Sequence, residues 1–183
     1  MAITRLGGAN AITGTIPQGN IANASLGAVT ALPAAITTGK VLQVVQGSIS
    51  AETDTSSSSY VATGLSVNIT PSSTSNKIFV TVTGSIDNQA SGRVPRVTIY
   101  RDSTAIDSND GLSLSYSQTD RTICPCSFSK LDTPNTTSQI TYKVYLASHT
   151  ASAPVYHNIT SDGFQPSGWF GTSNITAYEV SQE

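Results

Sequence analysis

The 183-residue chain has a mass of 19.0 kDa, which suits one ordinary domain with a short extension and is too little for two full domains. Charged residues make up 11% of it, against about 25% in a typical soluble domain, whereas Ser and Thr fill 52 of the 183 positions. The net charge of −2 and the pI near 5.6 exclude a protein that binds nucleic acid by neutralising phosphates. Because no apolar run approaches the length of a membrane span or of a signal peptide, we expect neither membrane insertion nor secretion through such a signal.

Residues 1–39 differ in composition from the rest of the chain. They contain one charged residue, Arg5, and no aromatic residue or Cys, and Pro17 and Pro33 prevent a long helix. Aliphatic residues recur every three to five positions in this segment, at Ile12, Ile16, Ile21, Leu26, Val29, Leu32 and Ile36. A mobile tail is one interpretation. The other, which we favour, is an extended N-terminal arm that buries these side chains against other subunits or a larger assembly.

From Lys40 onward the sequence alternates in the manner of β-strands. The clearest alternation is that of Leu65, Val67 and Ile69, which ends at Pro71. The predicted strands, in chain order, span 40–50, 60–70, 76–86, 96–102, 112–117, 122–131, 140–148, 153–160 and 173–181. The segments between them are rich in Ser, Asn, Asp and Gly, which is typical of turns. Eight to nine short strands at this spacing predict an all-β, antiparallel, jelly-roll-like sandwich over residues 40–183.

Two histidines and two cysteines are the candidates for metal binding or redox chemistry. His149 and His157 do not fit a metal-ligand spacing such as HExxH, and we interpret them as surface or loop-edge residues. Cys124 and Cys126 lack the two-residue spacing and the second pair of a zinc site. On one strand they share a face, and a bridge between them would be strained, so we expect buried free thiols and no metal.

Acidic residues are few, and most of them fall in predicted turns, where an Asp side chain usually bonds its own backbone. They are Asp87, Asp102, Asp107, Asp110, Asp120, Asp132 and Asp162. No two of them are marked out as the carboxylate pair of a glycosidase. A calcium site of Asp107, Asn109 and Asp110 would lack the length and the terminal Glu of an EF-hand loop. Since no phosphate-binding loop, GxSxG or Ser/His/Asp set is recognisable either, we expect no catalytic residue, no cofactor and no enzyme.

Aromatic residues are the candidates for contact with a receptor. Trp169 and Phe170 lie in a glycine-bracketed segment near the C-terminus, and aromatic rings in loops stack on sugars or anchor interfaces. The alternative is that this segment folds over the end of the sandwich and buries Trp169 in the core. With Tyr60, Tyr116 and Tyr156, these two residues form the set that we predict to contact a receptor.

Several stretches together resemble a β-sandwich module of tailed bacteriophages, of a type common in marine and freshwater phages and found in tail fibres and virion structural proteins. The most specific stretches are GLSVNITPSSTSNKI at 64–78, IYRDSTAI at 99–106 and LDTPNTTSQITYKV at 131–144. The resemblance covers about 40–183 and implies framework strands, frequent trimerisation and no catalytic motif. Only 39 residues precede the module in this chain, which favours a short appendage over a long tail fibre.

The sequence and the resemblance together favour a structural protein of a phage virion, assembled in the host bacterial cytoplasm. We expect a short homotrimeric fibre or appendage of the tail or baseplate, anchored to other virion proteins through residues 1–39 and contacting the host surface. Burial of seven aliphatic side chains per arm, at about 1.5–3 kcal/mol each, would offset much of the cost of ordering it. The alternatives are a capsid-surface fibre or decoration (cement) protein and a module that binds a host surface glycan.

Overall fold

The computed structural model describes residues 40–88, 91–107, 110–116, 122–150, 154–158 and 171–182, and the only regular secondary structure in these ranges is β-strand. The strands in chain order are β1 Val41–Ile49, β2 Thr53–Thr55, β3 Val61–Ile69, β4 Lys77–Asp87, β5 Pro95–Arg101, β6 Thr104–Ala105, β7 Ser113–Leu114, β8 Ile123–Asp132, β9 Ile140–Ser148, β10 Val155–His157 and β11 Ser173–Val180. The nine predicted strands coincide with all of these except β2 and β6. The sequence predicts turns at both places, because two or three residues are too few to show an alternation.

The strands form two antiparallel sheets that pack against each other. In sheet A, β1, β11, β4 and β8 lie side by side; β10 continues the line of β11, and β2 continues that of β1. In sheet B the order is β3, β9 and β5, and both β6 and β7 pair with the remaining edge of β5. Each antiparallel pair is enclosed in sequence by the one before it, in the order β1–β11, β3–β9, β4–β8 and β5–β6/β7. This is the strand order of a jelly roll. The predicted fold class is therefore confirmed.

The core lies between the sheets and is built from alternate residues of the longer strands. Leu65, Val67 and Ile69 of β3 are buried, as the alternation predicts. They face an equivalent inward set from sheet A, which includes Ile78 and Val80 of β4. Within the described residues, the buried members of the core cluster lie between positions 65 and 177, and Val45 and Ile49 of β1 pack against them.

The two ends of the sandwich hold different parts of the chain. The proximal end contains Lys40, which leads into β1, and the turns that join β3 to β4 and β8 to β9. The distal end contains the connection between β1 and β3, the last residues of β4, β7 and β9, and the first residues of β5, β8 and β10.

A buried carboxylate holds the proximal end together. Glu179 of β11 is fully buried and accepts hydrogen bonds from Gln43 Nε2 of β1 at 2.5 Å and from Asn76 Nδ2 at 2.6 Å. Ser72 donates to it from both its backbone N and its Oγ, at 2.7 Å each. Burial raises the pKa of Glu179, but these hydrogen bonds outweigh it and lower the pKa to about 2. The carboxylate therefore stays ionised. It joins the turn at 70–76 to β11, which carries Glu179, and to β1, which carries Gln43.

An ion pair at the same end links the two sheets. Arg101 of β5 donates from Nη1 to both oxygens of Asp132 in β8, at 2.7 and 3.0 Å. Tyr142 of β9 donates its hydroxyl to Asp132 Oδ2 at 2.7 Å. Burial and this hydrogen bond raise the pKa of Tyr142, so its hydroxyl remains a donor at any ordinary pH.

Candidate functional site

Three of the five aromatic residues predicted to contact a receptor are described, and all three lie toward the distal end. Tyr60 directly precedes β3, Tyr116 follows β7 by two residues, and Tyr156 is the middle residue of β10. Tyr60 and Tyr116 lie next to strands of sheet B, whereas Tyr156 belongs to sheet A. Trp169 and Phe170 lie outside the described residues. A receptor contact by any of the five stays a prediction.

The predicted arm, residues 1–39, also lies outside the described residues. Its seven aliphatic side chains are therefore not located by the structure, and their role in assembly stays a prediction. They are Ile12, Ile16, Ile21, Leu26, Val29, Leu32 and Ile36.

One asparagine fixes the base of the connection that carries the two C-terminal aromatic residues. Asn158 has a left-handed backbone (φ 59°), and its Nδ2 donates to the carbonyl oxygens of Ile49 and Ala51, both at 3.1 Å. Ser173, the first residue of β11, donates from Oγ to Asn158 Oδ1 at 3.3 Å. β10 and β11 pair with consecutive parts of β4, so Asn158 and Ser173 lie beside the same strand and are joined by this hydrogen bond.

The outer face of sheet B carries a cluster of three half-buried tyrosines. Tyr100 of β5 stacks on Tyr145 of β9, with 4.0 Å between ring centroids and 25° between ring planes. Tyr60 meets Tyr100 edge-on, with centroids 6.3 Å apart. The guanidinium carbon of Arg96 lies 5.4 Å from the Tyr60 centroid, within the range of a cation–π contact. One face of sheet B thus presents aromatic rings, their hydroxyl groups and a guanidinium group. Such groups suit the binding of sugars or other polyhydroxylated ligands.

Tyr60 is held in this cluster by its surroundings. Arg96 donates from Nη2 to the carbonyl oxygen of Ser58 at 2.9 Å, which fixes the guanidinium beside the Tyr60 ring. Gly111, with φ 85°, lies so close to the Tyr60 hydroxyl that a Cβ there would collide with it. Burial raises the pKa of Tyr60, although neighbouring Arg96 acts in the opposite direction. The hydroxyl is therefore protonated at neutral pH and can donate a hydrogen bond.

A shallow open depression of about 310 Å³ adjoins the tyrosine cluster. It is lined by Ala62, Gly64, Leu65, Ser66, Lys143 and Tyr145. The Lys143 ammonium and the Ser66 hydroxyl supply polar groups beside the Tyr145 ring. The depression can therefore take a small polar group next to an aromatic surface, and the sequence does not predict it.

A β-bulge in β3 creates this depression. Ala62 pairs with Tyr145 and Ser66 pairs with Lys143, so four steps along β3 correspond to two steps along β9. The Thr63 hydroxyl donates to the carbonyl oxygen of Val144 at 2.9 Å, and Gly64 adopts φ 86°. A glycine inside an alternating strand is the signal that could have revealed the bulge.

The interpretation of His157 as a surface or loop-edge residue is wrong. Its side chain is 1% exposed, because β10 pairs with β4 and sets His157 opposite Ile86 on the inner face of sheet A. Burial lowers the pKa of His157 to about 4, so the imidazole is neutral at pH 7. Neither ring nitrogen has a hydrogen-bond partner in the described part of the chain. His149, directly after β9, is exposed, as predicted.

Cys124 and Cys126 are free thiols on the inner face of β8, as predicted. Cys126 is buried, and Cys124 is only half-buried. Burial raises the pKa of the Cys126 thiol to about 11, although a hydrogen bond with Ser113 acts in the opposite direction. A thiol with this pKa is a poor nucleophile, so Cys126 is a packing residue.

Two acidic residues do not lie in turns, contrary to the prediction. Asp87 is the buried last residue of β4, and Asp132 is the last residue of β8, where it takes part in the inter-sheet ion pair. Asp107 lies 3.4 Å from Lys130 Nζ, and Asn109 of the sequence-based calcium candidate lies outside the described residues. Within the described ranges, no three His, Cys, Asp or Glu side chains lie together as metal ligands.

Comparison of the chain with protein-family models and with curated protein sequences finds no match in either. In the part of the chain that the structure describes, no helix has the length and apolar character needed to cross a membrane.

Proposed function

We propose that this chain is a structural protein of a phage virion, a short homotrimeric fibre or appendage of the tail or baseplate. Residues 1–39 attach it to neighbouring virion proteins and to its own copies, and the sandwich projects from that attachment. The distal end of the sandwich contacts the host surface. The protein acts by binding and carries no catalytic role.

The observation that supports this proposal is that the two ends of the sandwich carry different features. Lys40, to which the aliphatic segment is joined, lies at the proximal end, where Glu179 and Asp132 tie the strands and sheets together. Tyr60, Tyr116 and Tyr156 lie toward the distal end. An attachment end opposite a contact end is the arrangement that a projecting appendage requires.

The same geometry is compatible with a capsid-surface fibre or decoration protein, since that role also needs one attached end and one outward domain. Location on the particle distinguishes the two. Labelling of purified virions with an antibody against the sandwich would give signal at the tail or baseplate if the appendage proposal is right. Signal distributed over the capsid would favour decoration.

Particle assembly tests the role of the arm. A chain lacking residues 1–39 retains all the described residues of the core cluster, so we expect it to fold as a sandwich and to melt cooperatively. We also expect it to be absent from particles assembled in its presence, whereas the full chain is incorporated. A truncated chain that is incorporated at the level of the full chain would contradict the attachment role.

A glycan-binding module is the second candidate function, and the depression beside Tyr145 and Lys143 favours it. Fragments of the host surface polysaccharide should bind the full chain and lose affinity on Tyr145→Ala, because contact with an aromatic ring contributes about 0.5–1.5 kcal/mol. Ile123→Ala, which removes a 55% exposed apolar side chain from β8 in the opposite sheet and lies far along the strand from Leu131, is the control. Equal affinities of these two variants in a calorimetric titration would contradict a glycan site on sheet B.

A further inference from the structure

We infer that the outer face of sheet A, at its proximal end, is a contact surface between copies of this chain. This inference rests on the proposed homotrimer and adds to it a second contact surface, made by the folded domain. The surface is defined by one row of side chains, Val44, Tyr178, Phe79 and Leu131, which we call the apolar row.

The apolar row crosses sheet A from one edge to the other. Val44 pairs with Tyr178, Tyr178 pairs with Phe79, and Phe79 pairs with Leu131, so one residue comes from each of the four strand lines. With neighbouring strands about 4.8 Å apart, the row is about 14 Å long. The Phe79 and Tyr178 rings lie 6.2 Å apart, which makes the middle of the row continuous.

The row is exposed in the folded chain. Val44 is 54% exposed, Leu131 50% and Phe79 37%. Val41 and Leu42, at the start of β1, extend the exposed apolar surface toward Lys40. A contiguous apolar surface of this kind on one face of a sheet marks a site of interaction rather than the scattered exposure of a monomer.

The neighbouring rows of the same face have the opposite character. The next row toward the distal end consists of Gln46, Thr176, Thr81 and Ser129. The row after it consists of Ser48, Asn174, Thr83 and Ser127. The change from amide and hydroxyl groups to apolar groups occurs within one step of two residues, so the apolar row has a sharp boundary that general surface composition does not explain.

The position of the row identifies the occupant as a second copy. The row begins in β1, within five residues of Lys40, and 39 residues with one charge and regularly spaced aliphatic side chains are joined to the chain there. Association of these segments around a common axis would bring the first residues of β1 in each copy together. The row itself carries no charge, and Lys77 in the adjacent row is the charged residue beside it on β4. Cyclic symmetry would then repeat the same contact in each copy.

The edge position of β1 supports the same occupant. Among the described strands, β1 pairs only with β11, so its other side presents backbone N–H and C=O groups beside Val44. Edge strands with apolar side chains are liable to pair with other chains unless they are covered. A neighbouring copy would cover this edge and the apolar row together.

Sedimentation of the full chain over a concentration series tests the inference. The double variant Phe79→Thr/Leu131→Thr removes the centre and one end of the row while retaining residues that suit strands. The matched control is Leu114→Thr, which removes a 58% exposed leucine from β7 in sheet B. We expect the double variant to raise the midpoint concentration of dissociation about ten-fold or more, and the control to leave it unchanged. The isosteric variant Val44→Thr should shift it in the same direction by less, and circular dichroism melts verify that each variant folds.

Each outcome distinguishes this inference from the proposed homotrimer. If the wild-type chain is oligomeric and the double variant dissociates at the same concentration as Leu114→Thr, the apolar row is not a contact between copies and the homotrimer stands. If the double variant keeps the wild-type midpoint but is no longer incorporated into particles, another virion protein covers the row and the inference is overturned. A wild-type chain that is monomeric at every concentration overturns both.

Discussion

Replacement of Glu179 by Gln should destabilise the sandwich in a pH-dependent manner. The carboxylate is fully buried and accepts four hydrogen bonds of 2.5–2.7 Å, from Gln43, Asn76 and Ser72. A Gln side chain of the same shape has one oxygen that accepts and an NH₂ group that cannot. The NH₂ group of the Gln would therefore face N–H or O–H donors of Gln43, Ser72 or Asn76. Those donors would remain in the site without an acceptor.

The magnitude follows from the pKa. The pKa of Glu179 is lowered from 4.5 to about 2, a difference that corresponds to roughly 3 kcal/mol of stability at 1.36 kcal/mol per unit. Since the folded pKa is the lower one, this stability is complete above about pH 4.5 and is lost as the pH falls toward 2. At pH 3 about 2 kcal/mol of it should already be gone.

Urea unfolding of the full chain at one fixed protein concentration, at pH 7 and at pH 3, measures the effect. We expect Glu179→Gln to lower the free energy of unfolding by about 3 kcal/mol at pH 7 and by about 1 kcal/mol at pH 3. The control Glu52→Gln, an exposed carboxylate between β1 and β2, should change it by less than about 0.5 kcal/mol. A difference between wild type and Glu179→Gln that is the same at both pH values would refute the reasoning, because it would mean that ionisation of Glu179 does not contribute to stability.

Three further predictions concern His157, Gly47 and the two cysteines. The pKa of His157 is lowered from 6.5 to about 4. The wild type should therefore lose roughly 3 kcal/mol of stability as the pH falls from 6.5 to 4, because the unfolded chain binds a proton that the folded chain does not. In urea unfolding over this range, the free energy of unfolding of His157→Gln should depend less on pH. Gly47→Ala should destabilise the chain by about 2 kcal/mol or more in thermal unfolding, because the added Cβ would collide with the backbone carbonyl of Ser66. Gly92→Ala is the control, and it should destabilise the chain by less because its Cβ would meet no atom within 4 Å. Two free thiols per chain should react with a thiol reagent after unfolding without reductant, with Cys126 reacting slowly in the folded state; a single thiol or none would show that a disulfide forms.

The long strands are predictable from the sequence because one face of each is buried. In β3 and β4, the alternation of Leu65, Val67 and Ile69 and of Ile78 and Val80 directly reflects the two sides of a sheet. The same period of two sets Glu179 on the inner face with Ile175 and Ala177, so its burial could have been predicted. Its hydrogen-bond partners could not, because Gln43 and Asn76 lie 136 and 103 residues away in sequence and are brought to it only by the fold.

Residues in short strands were harder to predict. His157 belongs to a three-residue strand, and its burial follows from pairing with β4, which no local pattern indicates. The tyrosine cluster has the same origin, since Tyr60, Tyr100 and Tyr145 come from three separate segments. The sequence analysis named Tyr60 as a candidate for receptor contact, and only the fold supplies its two neighbours.

The native mass of the full chain and of residues 40–183, by light scattering after gel filtration, tests the central claim most directly. The account predicts about 57 kDa for the full chain, three times 19.0 kDa, and a mass close to its own monomer for the truncated chain. That result would make residues 1–39 the main element of a homotrimer. A full chain that elutes at 19.0 kDa, with a truncated chain that is also monomeric, would contradict the trimeric appendage and leave another protein as the partner of the arm.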